Sequence, residues 1–121
     1  MANAAFYSVI TDSIVTLNFG GDIDYETTFN LPQKLDVGTR SVISGVVVTL
    51  TNATNLTFKL EINDVDVNPV APITGSERFN IQEVVQANLL KVGQNKFRIK
   101  LAGGAGSLSF SDVVLLYGVN V

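Results

Sequence analysis

The chain has 121 residues, 46% hydrophobic and 16% charged, and its 11 Asp and Glu outweigh 8 Lys and Arg for a formal charge of −3. This composition excludes a disordered chain and a phosphate-backbone footprint, which needs a dense basic surface, so no nucleic-acid partner is expected. The absence of His, Cys and Trp removes the commonest general base, the thiol nucleophile and the best sugar-stacking ring, and the length suits one hydrophobic core: we expect a single non-enzymatic domain over residues 1–121, with no cofactor.

The opening MANAAFYSVITDS lacks the positive start and unbroken apolar run of a secretory signal, and no later segment is apolar for long enough to span a bilayer. Neither export by that route nor membrane insertion is expected. Apolar and polar residues then alternate between turn signals, and no window carries a helical stripe, so the chain reads as all-β. Val15, Leu17 and Phe19 share one face of a first strand that stops at Gly20-Gly21. Ile23, Tyr25, Thr27, Phe29 and Leu31 share a face of the next, which Pro32 closes and which turns Asp22, Asp24, Glu26, Thr28 and Asn30 outward.

A β-branched run from Ser41 to Thr51 is apolar on both faces, with Gly45 marking a bulge or a close backbone approach. Leu56, Phe58, Leu60 and Ile62 alternate with polar residues up to Asn63-Asp64, a turn signal that makes 60–67 a hairpin. Residues 69–78 read as a loop, Phe79 and Ile81 open another strand, and a single helical turn is allowed over 84–90. Phe97, Ile99 and Leu101 oppose Lys96, Arg98 and Lys100, the stretch AGGAGS at 102–107 reads as a flexible turn, and the last strand, 112–121, is apolar on both faces. Eight or so short strands at this spacing form an antiparallel two-sheet sandwich or jelly roll.

The segments YETTFNLP (25–32), LEINDVDV (60–67) and FNIQEVVQANLLKVGQNKFRIKL (79–101) resemble successive landmarks of the galactose-binding-domain-like jelly rolls, as in sugar-binding domains of glycoside hydrolase family 2 and carbohydrate-binding modules. In that family a strand ends in Phe-x-Leu-Pro, a hairpin carries Asn at its turn, and Leu-x-x-Gly-x-Asn, here Leu90, Gly93 and Asn95, leads into a strand. The resemblance covers roughly residues 14–117 and consists of turn and core residues, so it implies a fold. Asp64 stands where the family's hairpin usually has Gly, and the sugar-stacking Trp common among its binding members is missing.

Three constellations could carry chemistry. Asp64, Asp66 and Asn68 open like a calcium loop, but Pro69 and Gly75 occupy the positions that need Gly and the bidentate Glu; a looser structural calcium site, using carboxylates such as Asp22 or Asp112, remains compatible with a jelly roll. Asp22, Asp24 and Glu26 lie about 6 to 7 Å apart along one strand face, close to a glycosidase acid pair, yet without the aromatic cleft that holds a sugar. Lys96, Arg98 and Lys100 form the opposite stripe. They read either as edge-strand lysines that discourage aggregation or as a contact to an acidic partner, the 22, 24, 26 stripe of a neighbouring copy included. Within one chain the two stripes can also pair across a sheet.

Few charges and two strands apolar on both sides leave apolar surface that a neighbour should cover. The reading is a structural assembly protein: a homo-oligomer or a binder of capsid subunits, such as a viral (phage) capsid decoration or cement protein, located in the virion or in the cytoplasm of the producing cell. The alternative is a carbohydrate-binding module or small lectin. The six stripe residues Asp22, Asp24, Glu26, Lys96, Arg98 and Lys100 are the partner-binding candidates.

Overall fold

A computed structural model of the chain describes residues 3–67 and 72–120. Nine strands are present among them, and no helix: β1 (Asn3–Thr11), β2 (Val15–Asn18), β3 (Asp24–Leu31), β4 (Ser41–Thr49), β5 (Thr54–Ile62), β6 (Val65–Asp66), β7 (Arg78–Val85), β8 (Gly93–Ala105) and β9 (Ser107–Asn120). They form two antiparallel sheets. One runs β1-β9-β4-β7, with β2 also pairing β9, and the other runs β3-β8-β5-β6.

The sequence alternation holds where it was clearest. In β4 every second residue from Ser41 to Thr49 is buried, and in β8 Phe97, Ile99 and Leu101 are buried while Lys96, Arg98 and Lys100 are half-buried on the other side. The inward sets meet in one core that joins Leu17, Phe29, Ile43, Leu60, Phe97 and Phe110. Phe97 of one sheet meets Phe110 of the other edge-to-face, with centroids 6.4 Å apart, and Tyr25 stacks the same way on Phe110 at 5.7 Å. Gly45 does mark a bulge: the β4–β9 register shifts between Ser44 and Val46, and a Cβ on Gly45 would stand 3.3 Å from Val113 Cγ2.

The motif asparagines prove to be one structure. Asn63 and Asp64 both take positive φ, 50° and 69°, the geometry of a type I′ hairpin turn, so Asp64 is accommodated where Gly is usual. The Asn63 side chain then donates to Asn95 Oδ1 (2.9 Å) and to the Leu89 carbonyl (3.0 Å), and accepts from the Lys96 amide (2.8 Å). Asn95, itself buried, accepts from the Lys91 amide at 3.0 Å and donates to the Lys91 and Gly93 carbonyls at 2.8 and 3.1 Å. The hairpin and the 89–95 loop are tied through these two side chains.

Four sequence expectations are corrected. The first strand is β1, in residues 3–11, where apolar residues on both faces hide the alternation. Phe19 lies beyond β2 and is exposed. No helical turn occupies 84–90, because Val84 and Val85 complete β7 and turns follow. The 102–107 stretch is no flexible turn: β8 continues to Ala105 and β9 begins at Ser107, with Gly104 and Gly106 at φ +82° and +109°. Asn68 of the calcium-loop reading, residues 69–71 of the expected loop and Val121 lie outside the described residues.

That corner generates a prediction. A Cβ on Gly104 would overlap the Asn55 carbonyl, and one on Gly106 would sit 2.6 Å from Ala53 Cα. Gly104→Ala and Gly106→Ala should each destabilise by about 2 kcal/mol or more in urea denaturation, whereas Gly75→Ala, with the same sign of φ but open space around it, should cost less. Equal costs at all three would show that the backbone contact does not matter.

Candidate functional site

The two sheets turn faces of opposite chemistry to solvent. On the four-stranded sheet β8 is central, between β3 and β5, so Lys96, Arg98 and Lys100 are not edge-strand lysines. Acids stand among their neighbours in register: Asp24 lies opposite Lys100 and Glu26 opposite Arg98 on one side, and Glu61 opposite Arg98 on the other, with Asp66 opposite Glu61, while Lys59 faces Lys100 and Thr28 faces Lys96. Arg98 donates to Asp24 Oδ2 through Nη2 at 2.7 Å and Nε at 3.2 Å, and reaches Glu61 at 3.8 Å. Lys96 pairs with Asp64 at 2.6 Å and Glu26 at 3.8 Å, Lys100 with Glu61 at 3.7 Å, and Lys59 with Asp66 at 3.8 Å.

The acidic and basic stripes therefore meet within one chain. Asp22 does not join them: it precedes β3 in a turn where the Asn18 amide donates to its carbonyl at 2.8 Å. Asp24 and Glu26, the two remaining members of the supposed acid pair, are engaged by cations on an open sheet face. Asp112 sits exposed in a β9 bulge at φ 54°. Among the described residues no three His, Cys, Asp or Glu side chains gather into a metal-holding group.

The five-stranded sheet presents the opposite surface. One register row crosses it from edge to edge: Tyr7 opposite Leu116, Leu116 opposite Val42, Val42 opposite Val84. Tyr7, Val84 and Leu116 keep 68%, 57% and 45% of their surface in water. The adjoining row runs Val9, Val114, Ser44, Gln82, with Val9 half exposed at 50%. No charged side chain lies in either row. The apolar character of strands 41–51 and 112–121 was legible, but Tyr7 and Val9 were missed with β1, and the alignment of four strands into one row is a property of pairing that no single segment carries.

A third feature lies on the flank between the sheets, beside edge strand β7. A groove of about 730 Å³ is lined by Phe58 and Ile73 on one side and by Glu77, Phe79, Ile81 and Glu83 on the other. The far edge of β5 is partly covered, since Leu56 and Ile73 exchange backbone hydrogen bonds at 2.8 and 2.9 Å. The outer edge of β7 pairs with no strand among the described residues.

No protein-family model matches the sequence, and no curated protein matches it. The fold has counterparts among solved structures. Dimeric latent PorU from Porphyromonas gingivalis is similar with a TM-score of 0.70 at 7% identity, over 98% of this chain and 13% of that one. A chain of the T13 IBDV viral particle is similar with a TM-score of 0.61 at 13% identity, over 98% and 31%. The xylan-binding module CBM15 follows with 0.58 at 9%, over 96% and 97%. The chain thus spans a small part of the first two proteins and nearly all of the third. At such identities the likeness is one of fold alone, and the fold is the antiparallel two-sheet jelly-roll sandwich expected from the strand spacing.

The charged face generates a pH prediction. The Lys96 ammonium, hydrogen-bonded to Asp64, holds the Asp64 carboxyl below its ordinary 3.8, and Asp64 in turn raises Lys96 above its ordinary 10.5. The Asp64 contribution is complete above 3.8 and is lost as pH falls through the lowered value. That of Lys96 is complete below 10.5 and is lost as pH rises through the raised one. Asp64→Asn should therefore make the acid-side fall of Tm shallower, by a small amount because the pair is exposed. Thermal melts between neutral and acid pH at low salt check this; parallel curves for both proteins would contradict it.

Proposed function

We propose that this protein is a non-enzymatic structural subunit that docks on neighbouring protein subunits through the open face of its five-stranded sheet. The row Tyr7–Leu116–Val42–Val84 carries the proposal. Four strands at about 4.8 Å spacing and eight to nine residues at about 3.3 Å give a face of roughly 500 Å². Two such faces together would bury about 1,000 Å², the lower limit of a specific interface. An uncharged centre of aliphatic and aromatic side chains is what the core of such an interface contains.

The charged face supports the same assignment from the other side. Its acids and bases pair with one another on the opposite sheet, so the five stripe residues there, Asp24, Glu26, Lys96, Arg98 and Lys100, serve solubility and do not drive the contact. Within this class the finer proposal is a virion component, a decoration or cement protein located in the virion or in the cytoplasm of the producing cell, to which the fold likeness with a viral-particle protein lends support. A second reading, a carbohydrate-binding domain, is favoured by the groove beside β7, where Asn80, Gln82, Glu77 and Glu83 offer polar groups near Phe79; CBM15 shares the fold.

Light scattering coupled to size-exclusion chromatography tests the choice. The native protein should self-associate, and Leu116→Lys combined with Val84→Lys should give a monomer of unchanged thermal stability, since both side chains already face water. A native monomer that binds a glycan specifically would overturn the structural reading in favour of the second.

A further inference from the structure

The edge of β7 is a separate matter from the sheet face. We propose that β7 accepts an extended peptide as an added strand, one presenting basic, apolar, apolar and basic side chains at alternate positions. The backbone comes first. The Thr49 amide donates to the Glu77 carbonyl at 2.8 Å, and the β4–β7 register continues unshifted from Val48 opposite Arg78 to Ser41 opposite Val85. In an antiparallel ladder hydrogen-bonded and non-hydrogen-bonded pairs alternate, so Phe79 and Ile81 direct their backbone groups to β4, and Asn80 and Gln82 direct theirs to the outer edge, which pairs with no strand among the described residues. Neither Pro nor Lys interrupts β7, although these are common protections of an exposed edge.

The side chains then define the occupant. Glu77, Phe79, Ile81 and Glu83 share the inward side and line the groove, in the order acid, apolar, apolar, acid. Across the groove stand Phe58 and Ile73. A strand added to β7 projects alternate side chains into this space about 6.6 Å apart. Its two central inward residues meet Phe79, Ile81, Phe58 and Ile73, and its outer ones meet the carboxylates. The same carboxylates reject a second copy of β7, which would bring Glu83 and Glu77 against their own kind. Main-chain hydrogen bonds supply affinity here and the pocket supplies selection, the pattern of strand addition at a sheet edge. An oligosaccharide fits the groove less well: Phe58 is buried and Phe79 half-buried, so neither ring offers a flat stacking platform.

The peptide Lys-Thr-Val-Thr-Val-Thr-Lys, its ends blocked and a fluorophore attached, probes this by anisotropy titration at low salt. It should bind saturably, while the counterpart with Glu at both ends should bind at least about tenfold more weakly. Asn80→Pro removes an outward N–H without removing a bond to β4 and should abolish binding with little change in Tm. Should that variant fail to fold, Glu77→Lys combined with Glu83→Lys decides: it should invert the preference toward the acidic peptide. Leu116→Lys, on the docking face, should leave peptide binding unchanged, so failure of the assembly reading is distinguishable. Absence of binding, indifference to peptide charge, or a xylo-oligosaccharide that binds and is lost with Asn80→Pro would each overturn the proposal.

Discussion

The structure turns on a backbone corner without side chains. β8 and β9 are the longest strands and the central ones: β8 carries β3 and β5, and β9 carries β1, β2 and β4. They belong to different sheets, yet only Gly106 separates them. The chain passes from one layer to the other there with Gly104 and Gly106 at positive φ, pressed against the backbone of residues 53–55. Left-handed backbone and close approach are demands that glycine meets at low cost and other residues do not. Because the corner sets the offset between β8 and β9, it also sets which residues of the two sheets meet, and the Phe97–Phe110 contact across the core follows from it.

Once the layers are placed, the alternation of each strand decides what the outer faces look like. The outward residues of β3, β5 and β8 include Asp24, Glu26, Lys59, Glu61, Lys96, Arg98 and Lys100, so their pairing produces a lattice of ion pairs. In the two rows that avoid Asp112, the outward residues of β1, β4 and β9 are Tyr, Val, Leu and Ser, so their pairing produces an apolar row. The difference in hydration is large even though each ion pair is worth little: the charged lattice gains nothing by leaving water, whereas each apolar side chain does. One sheet is thereby at home in solvent, and the other carries the apolar area on which the proposed docking rests.

The legible part of this arrangement was local. Turn chemistry at Asn63-Asp64, the bulge at Gly45 and the inward sets of β3, β5 and β8 follow from residues within a few positions of one another. The landmark asparagines were visible as a pattern, but their meeting as a hydrogen-bonded pair 32 positions apart in sequence was not. β1 escaped because Phe6, Tyr7, Val9 and Ile10 are apolar on both sides, which erases the period that identifies a strand. The position of Lys96, Arg98 and Lys100 was misjudged for a related reason: whether a strand is central or at an edge depends on its neighbours, and its own sequence carries only a weak trace of that.

Both proposed contacts lie on the same sheet, one on its face and one on its rim, and their chemistries differ in a way that keeps them independent. The face offers apolar area with no charge in its two rows, which favours association and tolerates several orientations. The rim offers directed N–H and C=O groups between two carboxylates, which fix the direction and spacing of whatever pairs with it. A neighbour held on the face does not cover the outward edge of β7, because the backbone groups of that edge point in the plane of the sheet and the side chains of the face stand perpendicular to it. A jelly roll built this way can hold one partner by area and receive a second by strand pairing, with the ion-paired sheet left in water on the far side.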